Sequence, residues 1–416
     1  MMGNSPLSPL RVIDTTDHQG LFCGRILADL GFDVVKVERP GGDESRRIGP
    51  FYHDEVDGES SLYWYINNLN KRGITLNIEV EEGKKMFRDL AHRADIIVES
   101  YPPGYMDGLG LGYKQLKENN PGLIFVSISP FGQDGPYAAY KSSDIVNMAM
   151  GGLMNLIGDP DRPPLRVSLP QSFTVAGVTA AMATMAAYYW RTTSGEGQHV
   201  DVSIQASIAS ALANVVPLYE LSNVNLTRQG SVLAGRVSGL RQKTLWKCKD
   251  GYQVFFVMAG EVGKKTSKPL VAWMDSEGMA PDYLLNMNWD DYDLATADQE
   301  LQDSLEKPIA EFCLKHTKAE FLEKALETGM TILPVSEPRD IVDNPQLKAR
   351  GFWLEVKHPE KEVSLTYPGF FAKFSESPCE LRYRAPLIGE HNEEIYLGEL
   401  GLSETDLKRL RKMKII

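Results

Sequence analysis

The stretch from Arg11 to Val37, RVIDTTDHQGLFCGRILADLGFDVVKV, decides the fold class of this chain. Its first four residues, Arg11–Asp14, are typical of a short strand. Residues 20–30 place apolar side chains on one face of a helix, and Gly31 ends that helix. Residues 33–37, DVVKV, predict a second strand. Strand, helix and strand in so short a span form a βαβ unit, in which the strands are parallel and the crossover is right-handed.

The same alternation continues through the first half of the chain. Further strands are predicted over residues 74–78, 95–99 and 123–128, and helices over residues 81–92 and 113–118. Strands that alternate with helices pack as a parallel sheet with helices on both faces. The sequence therefore predicts an α/β fold with a doubly wound, Rossmann-like domain.

The first turn between strand and helix excludes two classes of nucleotide-binding protein. Residues 14–20 read DTTDHQG and contain neither GxGxxG nor GxxxxGK[ST]. Those glycine-rich loops bind the phosphates of dinucleotides and nucleoside triphosphates. A nicotinamide-dependent oxidoreductase and a P-loop NTPase are therefore excluded.

A smaller α+β domain is predicted over residues 226–334. Short strand segments flank Asp250 and Gly251, a dipeptide typical of a β-hairpin turn, and an acidic helical stretch follows. Gly260 and Gly263 are candidates for a glycine loop that covers an active site, although two glycines in a loop are common.

The composition of the chain limits the binding partners and the cellular compartment that we expect. The chain has 416 residues and a net charge of −12, which disfavours binding to a nucleic-acid backbone. Its four cysteines are scattered singly and its histidines show no metal-ligand spacing, so neither a disulfide framework nor a metal site is expected. No signal peptide is recognised, and the apolar stretch Val175–Trp190 is too short to span a membrane. We expect a cytoplasmic protein without a membrane partner.

Six strings occur in a fixed order along nearly the whole chain. They are RVIDTT at 11–16, DLGFDVVKVERPGGD at 29–43, NKRGITLN at 70–77, GEGQHVDVS at 195–203, NPQLKARGF at 344–352 and APLIGEH at 385–391. Together they resemble the family III CoA-transferases of the CaiB/BaiF type. The resemblance implies a large Rossmann-like domain over residues 1–225, completed by residues 335–416, with the small domain between. It also implies an interlocked-ring dimer, and a coenzyme A thioester as substrate, with no covalently bound cofactor.

The resemblance assigns four residues to the coenzyme. Gln19 lies in the first turn, where family members place a glutamine near the thioester, and Lys141 lies where some relatives contact CoA. Arg39 follows the second strand, at the edge where open α/β sheets bind ligands, and Arg72 precedes the third. Guanidinium and ammonium groups suit the phosphates of CoA. The alternative is that the three cations are solvated surface residues.

The resemblance also locates the position of the family's nucleophile. In the family an aspartate attacks the acyl-CoA thioester to form a mixed anhydride, and the returning thiolate then forms an aspartyl-CoA. That aspartate lies four residues before a glycine, after an Arg-Pro-Pro turn. The matching stretch here, RPPLRVSLPQSFTVAG over residues 162–177, places Phe173 at that position. A phenyl ring has no lone pair to attack with, so we expect no catalytic residue in this chain.

Other positions depart from the family pattern as well. Gly108 stands where relatives carry a basic residue, and Ser143 stands where a tyrosine is common. Asp144 is retained, either as a vestige of the active site or as the N-cap of the following helix.

These departures favour a subunit that depends on a homologous, Asp-bearing chain. One subgroup of the family has two different subunits and moves CoA from succinyl-CoA to (R)-2-benzylsuccinate in anaerobic toluene degradation. This chain resembles the subunit that lacks the nucleophile. The alternatives are a self-contained acyl-CoA racemase or isomerase, for which Ser143 and Phe173 replace both expected bases, and an acyl-CoA-binding protein.

Overall fold

The computed structural model describes residues 10–234, 239–257, 260–292 and 296–416. Within these ranges the chain divides into two compact units. The first unit contains the residues through Met154 together with Arg166–Val224 and Ala349–Ile416, and the second contains Asn155–Leu165 and Asn225–Lys348.

The unit boundaries differ from the predicted domains at two places. Residues 155–165 and 335–348 were predicted in the large domain, and the structure places both in the second unit. The first segment bonds within that unit, where the amide of Gly230 donates to the carbonyl of Gly158 at 3.0 Å. The second segment is held by an ion pair between Lys318 and Asp340. Both contacts join residues distant in sequence, so composition did not reveal them.

The strands of the described residues are β1 Arg11–Asp14, β2 Asp33–Glu38, β3 Lys71–Thr75, β4 Ile96–Glu99, β5 Ile124–Ser129, β6 His199–Ser203, β7 Val232–Ala234, β8 Arg241–Lys243, β9 Leu245–Cys248, β10 Gly251–Val254, β11 Leu333–Pro334, β12 Trp353–His358 and β13 Val363–Pro368. The helices are α1 Leu21–Asp29, α2 Leu62–Asn67, α3 Glu81–His92, α4 Tyr105–Gly108, α5 Tyr113–Lys117, α6 Asp144–Met150, α7 Ser172–Ser194, α8 Ile204–Ala211, α9 Val215–Ser222, α10 Gly260–Ser276, α11 Asp282–Leu285, α12 Gln299–Cys313, α13 Lys318–Thr328, α14 Pro338–Asp343, α15 Pro345–Ala349 and α16 Glu404–Lys412.

The first unit is built on a parallel six-stranded sheet, which confirms the predicted α/β fold. Its strand order is β3-β2-β1-β4-β5-β6. Both faces of the sheet are buried, because alternate residues of each strand enter different cores. Ile13 and Val35 pack in the core that includes α3, whereas Val12 and Val34 pack in the core that includes α1 and α7. Strand β3 begins three residues earlier than predicted, since Lys71 pairs with Val34 of β2.

Helix α7 approaches α1 closely where Gly177 lies. A Cβ at Gly177 would stand 2.9 Å from Cβ of Phe22 and 3.1 Å from the backbone nitrogen of Cys23, so only glycine fits without a shift. Residues four apart share a helix face. Phe173, one turn before Gly177, is therefore directed at the segment that precedes α1.

The second unit contains the predicted hairpin. Strands β9 and β10 pair antiparallel around Asp250 and Gly251, with Gly251 opposite Cys248, and β11 pairs with β10. Its core holds aromatic side chains such as Trp246 and Phe312. Of the predicted glycine loop, Gly260 and Gly263 lie in helix α10, and Met258 and Ala259 lie outside the described residues.

Among the helices of the described ranges, none combines the length and the apolar character that crossing a membrane requires.

Candidate functional site

A cavity of about 960 Å³ opens in the first unit at the carboxyl ends of its parallel strands. The walls come from the segments that follow β1, β2, β3, β4 and β5, namely residues 15–19, 37–44, 76–79, 100–105 and 130–142. Open α/β sheets bind ligands in the crevice at this edge, because the loops after successive strands converge there. The position of the cavity follows directly from the sheet.

A buried charge network fixes the first turn of this cavity. The carboxylate of Asp14, at the end of β1, accepts hydrogen bonds from Nζ of Lys71 at 2.8 Å and from the amide and hydroxyl of Thr16 at 2.9 and 2.6 Å. Nζ of Lys36 donates to the carbonyl of Thr16. Burial raises the pKa of Asp14, but the ammonium groups of Lys71 and Lys36 outweigh this effect and hold the pKa below its ordinary value. The carboxylate is therefore ionised and holds Thr16 in place.

The turn places Gln19 in the cavity wall, and Asp17 holds it there. The carboxylate of Asp17 accepts from the Gln19 amide at 3.0 Å and from the Gln19 side chain at 3.2 Å. The hydroxyl of Ser100 donates to the same carboxylate at 2.8 Å and accepts from the Asp17 amide at 2.8 Å. Sequence reasoning missed Asp17, although it lies two residues before Gln19 in the DTTDHQG turn.

The structure brings two of the three predicted cations to the cavity and leaves the third elsewhere. Arg39 and Lys141 line it. Arg72 is the second residue of β3 and therefore lies near the amino edge of the sheet, opposite the cavity. The geometry does not support the predicted role of Arg72 in CoA binding, because its guanidinium is buried in ion pairs away from the cavity.

The partners of Arg72 explain its burial. Its guanidinium contacts Asp33 of β2 at 2.7 Å, Glu394 at 2.7 Å and Glu399 at 2.8 Å. Only 5% of Arg72 is exposed. The residue ties the sheet to the C-terminal segment of the first unit, which is a structural role.

Phe173 lies directly behind the first turn of the cavity. It is the second residue of α7, is 7% exposed and packs in the core between α7 and the sheet. Its ring meets the ring of His18 edge-on, with centroids 5.1 Å apart and planes at 84°. His18 itself lines the cavity. The residue at the expected nucleophile position is thus a core side chain that packs behind the turn that carries Gln19.

Asp144 holds the start of the helix that carries Phe173. Its Oδ1 accepts from the amides of Gln171 and Ser172, both at 2.9 Å, and from the Ser172 hydroxyl at 2.8 Å. It is the first residue of α6, whose N-cap is Ser143, so the alternative that Asp144 caps its own helix is wrong. A carboxylate at a helix N-terminus satisfies free amides and complements the helix dipole. Asp144 therefore positions α7.

A second buried carboxyl lies beneath the neighbouring wall. Glu99 ends β4, accepts from the amide of Tyr101 at 2.6 Å and is 4% exposed. Burial raises its pKa to about 7, against the lowering effect of bonds from Ser127 and Tyr101. Ser127 also bonds to Nε2 of His199 at 2.9 Å. This cluster joins β4, β5 and β6 beside the cavity wall.

In the described part of the chain, no group of three or more His, Cys, Asp or Glu side chains is arranged to hold a metal ion.

Comparison with known proteins identifies this architecture. The sequence pattern described as CoA-transferase family III matches residues 7–392. The chain belongs to CoA-transferase family III. Proteins of this family use CoA thioesters as substrates.

Its relatives match it over nearly their full length. The succinyl-CoA:(R)-benzylsuccinate CoA-transferase subunit BbsE of Thauera aromatica is 35% identical over 407 residues, which cover 98% of this chain and 97% of the relative. The formyl-CoA:oxalate CoA-transferase of Streptomyces avermitilis is 32% identical over 430 residues, covering 99% of each. The crystal structure of a CaiB/BaiF family protein from Brucella suis superposes with a TM-score of 0.81 at 30% identity and covers 95% of this chain and 99% of that one.

Proposed function

We propose that this chain is the nucleophile-lacking subunit of a heteromeric family III CoA-transferase. The observation that carries the proposal is Phe173, which occupies the first turn of α7 behind the cavity and packs on His18. Its phenyl ring cannot form an acyl anhydride with a thioester. A relative named as a subunit, at 35% identity over 98% of this chain, supports the same reading.

The two carboxylates that bond to the segments beside Phe173 already accept several hydrogen bonds from the protein. Asp144 accepts three hydrogen bonds from Gln171 and Ser172. Asp17 is bonded to Gln19 and Ser100. Each of these carboxylates has a structural task, which argues against either as a substitute nucleophile.

The reaction that we propose for the complex moves CoA from succinyl-CoA to (R)-2-benzylsuccinate, in anaerobic toluene degradation. A homologous subunit with an aspartate at the position of Phe173 would supply the nucleophile and interlock with this chain. This chain would keep a cavity that binds CoA, in which Gln19 would face the thioester and Arg39 and Lys141 would face the phosphates. The cost in free energy is small, because one thioester replaces another.

Purification of the chain alone, of the Asp-bearing subunit alone and of the co-expressed pair tests the proposal. Transfer from succinyl-CoA to (R)-2-benzylsuccinate is followed in each. We expect activity from the pair and none from this chain. A Phe173→Asp variant, with Phe173→Asn as its matched control, reports whether a carboxylate at this place restores chemistry. Full activity of the unaltered chain alone would overturn the proposal.

An acyl-CoA-binding protein is the second candidate, favoured by the placement of Gln19, Arg39 and Lys141 around the cavity. The co-expression experiment separates the two. A binding protein would take up CoA, yet the Asp-bearing chain would be equally active without it.

A further inference from the structure

The segment after α16 brings an unexpected cation to the cavity. Lys414 lines the wall formed by residues 76–79. Lys414 lies far from residues 76–79 along the sequence, so no local sequence pattern indicates this contact. The amide of Asn77 donates to the carbonyl of Ile415 at 2.7 Å and joins the two segments.

The backbone of Lys414 has the conformation that usually selects glycine. Its φ is 55°, in the left-handed region. Its amide donates to the carbonyl of Arg411, and the amide of Ile415 donates to the carbonyl of Leu410, both at 3.0 Å. These two bonds form a Schellman motif, in which glycine is the favoured residue. A lysine here costs conformational free energy that glycine would not, so its side chain calls for an explanation.

Two buried residues hold this conformation in place. Ile415 and Ile416 are 4% and 7% exposed and pack in the core that contains α3 and α16. With the chain fixed on both sides, Lys414 stays at the cavity wall.

Three cationic side chains of the described residues face this cavity. Arg39, Lys141 and Lys414 line it, and within the described ranges none of the three forms an ion pair. The same walls also carry five acidic side chains, and each of them bonds to a group other than these three cations. Asp17 accepts from the Gln19 amide at 3.0 Å. Glu38 pairs with Arg46 at 2.6 Å, Glu44 pairs with Arg47 at 3.3 Å, Asp43 accepts from the Ser45 amide at 2.8 Å and Glu79 accepts from the Tyr105 hydroxyl at 2.8 Å.

Aromatic faces adjoin this charge. Tyr101 and Tyr105 line the cavity and stack with centroids 4.7 Å apart. Tyr105 bonds to Glu79, in the wall that also holds Lys414. Cations beside aromatic rings in a cavity wall suit a nucleotide, whose phosphates need positive charge and whose base needs a stacking surface.

We propose that Lys414 binds a phosphate group of coenzyme A in this cavity. The inference rests on the proposed function, which places CoA there. Lys414 would then supply part of the positive charge that relatives carry at the position of Gly108. Gly108 is the last residue of α4.

Because the backbone of Lys414 has a positive φ, replacement by glycine tests the side chain without straining the backbone. Lys414→Gly removes the charge and relieves the backbone, so the fold should be retained or stabilised. Lys414→Arg keeps the charge. Lys412→Ala, at the exposed end of α16, is the matched control. Calorimetric titration of the purified full chain with CoA measures affinity, and a melting curve checks the fold.

We expect Lys414→Gly to weaken CoA binding by roughly tenfold, and Lys414→Arg and Lys412→Ala to bind as the wild type does. Titration with dephospho-CoA identifies the phosphate. If the loss disappears with that ligand, Lys414 contacts the 3′-phosphate, and if it persists, Lys414 contacts the diphosphate. Equal affinity of wild type and Lys414→Gly would overturn the role of Lys414 alone. Absence of CoA binding by the wild type would overturn the proposed CoA cavity and this inference with it.

Discussion

Phe173 and His18 meet edge-on with ring centroids 5.1 Å apart, and this contact joins the start of α7 to the first turn of the cavity. The T-shaped arrangement places the positive edge of one ring against the face of the other, which is favourable in a buried setting. Phe173 therefore contributes to packing. The family resemblance places the nucleophile at the same position.

Replacement of Phe173 by alanine tests that packing task. The ring is 7% exposed, so its removal leaves a cavity and loses the contact with His18. We expect the free energy of unfolding to fall by about 3 kcal/mol. Urea denaturation measures it, with Phe173→Leu as a control that keeps most of the volume. An unchanged stability of the alanine variant would show that the ring is not part of the core.

Asp144 is expected to stabilise α7 from outside that helix. In Asp144→Ala the amides of Gln171 and Ser172 lose their acceptor, and the free energy of unfolding should fall by about 1–2 kcal/mol. Asp134→Asn, an exposed change, serves as the control and should lie within about 0.5 kcal/mol of wild type. Equal effects of the two substitutions would argue against the positioning role.

Glu99 gives stability a pH dependence of known sign. Burial raises its pKa to about 7 from an ordinary value of 4.5, so the folded protein favours the neutral carboxyl. Its contribution is fully present below pH 4.5 and is lost as the pH rises through 7. We expect Glu99→Gln to flatten this dependence and to be more stable than wild type above pH 7, by up to ~3 kcal/mol. Denaturation at pH 5 and pH 8 measures it. Parallel pH profiles for both proteins would contradict the assignment.

Arg39 and Arg72 should respond differently to the same substitution. Arg39→Met removes a cation from the cavity wall and should weaken CoA binding about tenfold, with little effect on stability. Arg72→Met removes the partner of Glu394 and leaves Asp33 and Glu399 paired with Arg11 alone. It should lower the free energy of unfolding by about 2 kcal/mol without changing CoA affinity. Calorimetry and urea denaturation of both variants measure the contrast. If Arg72→Met lost CoA affinity and kept its full stability, Arg72 would be a CoA-binding residue after all.

Sequence patterns predicted the sheet because its signals are local. The apolar runs of β1 and β2 and the helix between them bury both faces of one βαβ unit, which any chain with that pattern must do. Gln19, Arg39 and Lys141 follow from the family resemblance combined with the rule that the carboxyl ends of strands meet at one edge. The same rule, applied to Arg72, would have placed it at the opposite edge.

Other features of the site depend on contacts that no local pattern contains. Asp144 bonds to a helix that begins 28 residues later, so its role could not be separated from that of an ordinary N-cap. Lys414 reaches the cavity through long-range contacts, which include the hydrogen bond from the Asn77 amide to the Ile415 carbonyl. Asp17 was visible in the turn, and its position two residues before Gln19 is the signal for the side-chain-to-backbone bond that it makes.

A covalent-intermediate experiment probes the missing nucleophile most directly. The co-expressed pair is incubated with succinyl-CoA, quenched, and both subunits are weighed by intact-mass spectrometry. We expect a CoA adduct on the Asp-bearing subunit and an unmodified mass for this chain. A CoA or succinyl adduct on an aspartate or glutamate of this chain would contradict the claim that this chain lacks a nucleophile because Phe173 replaces the aspartate of the family.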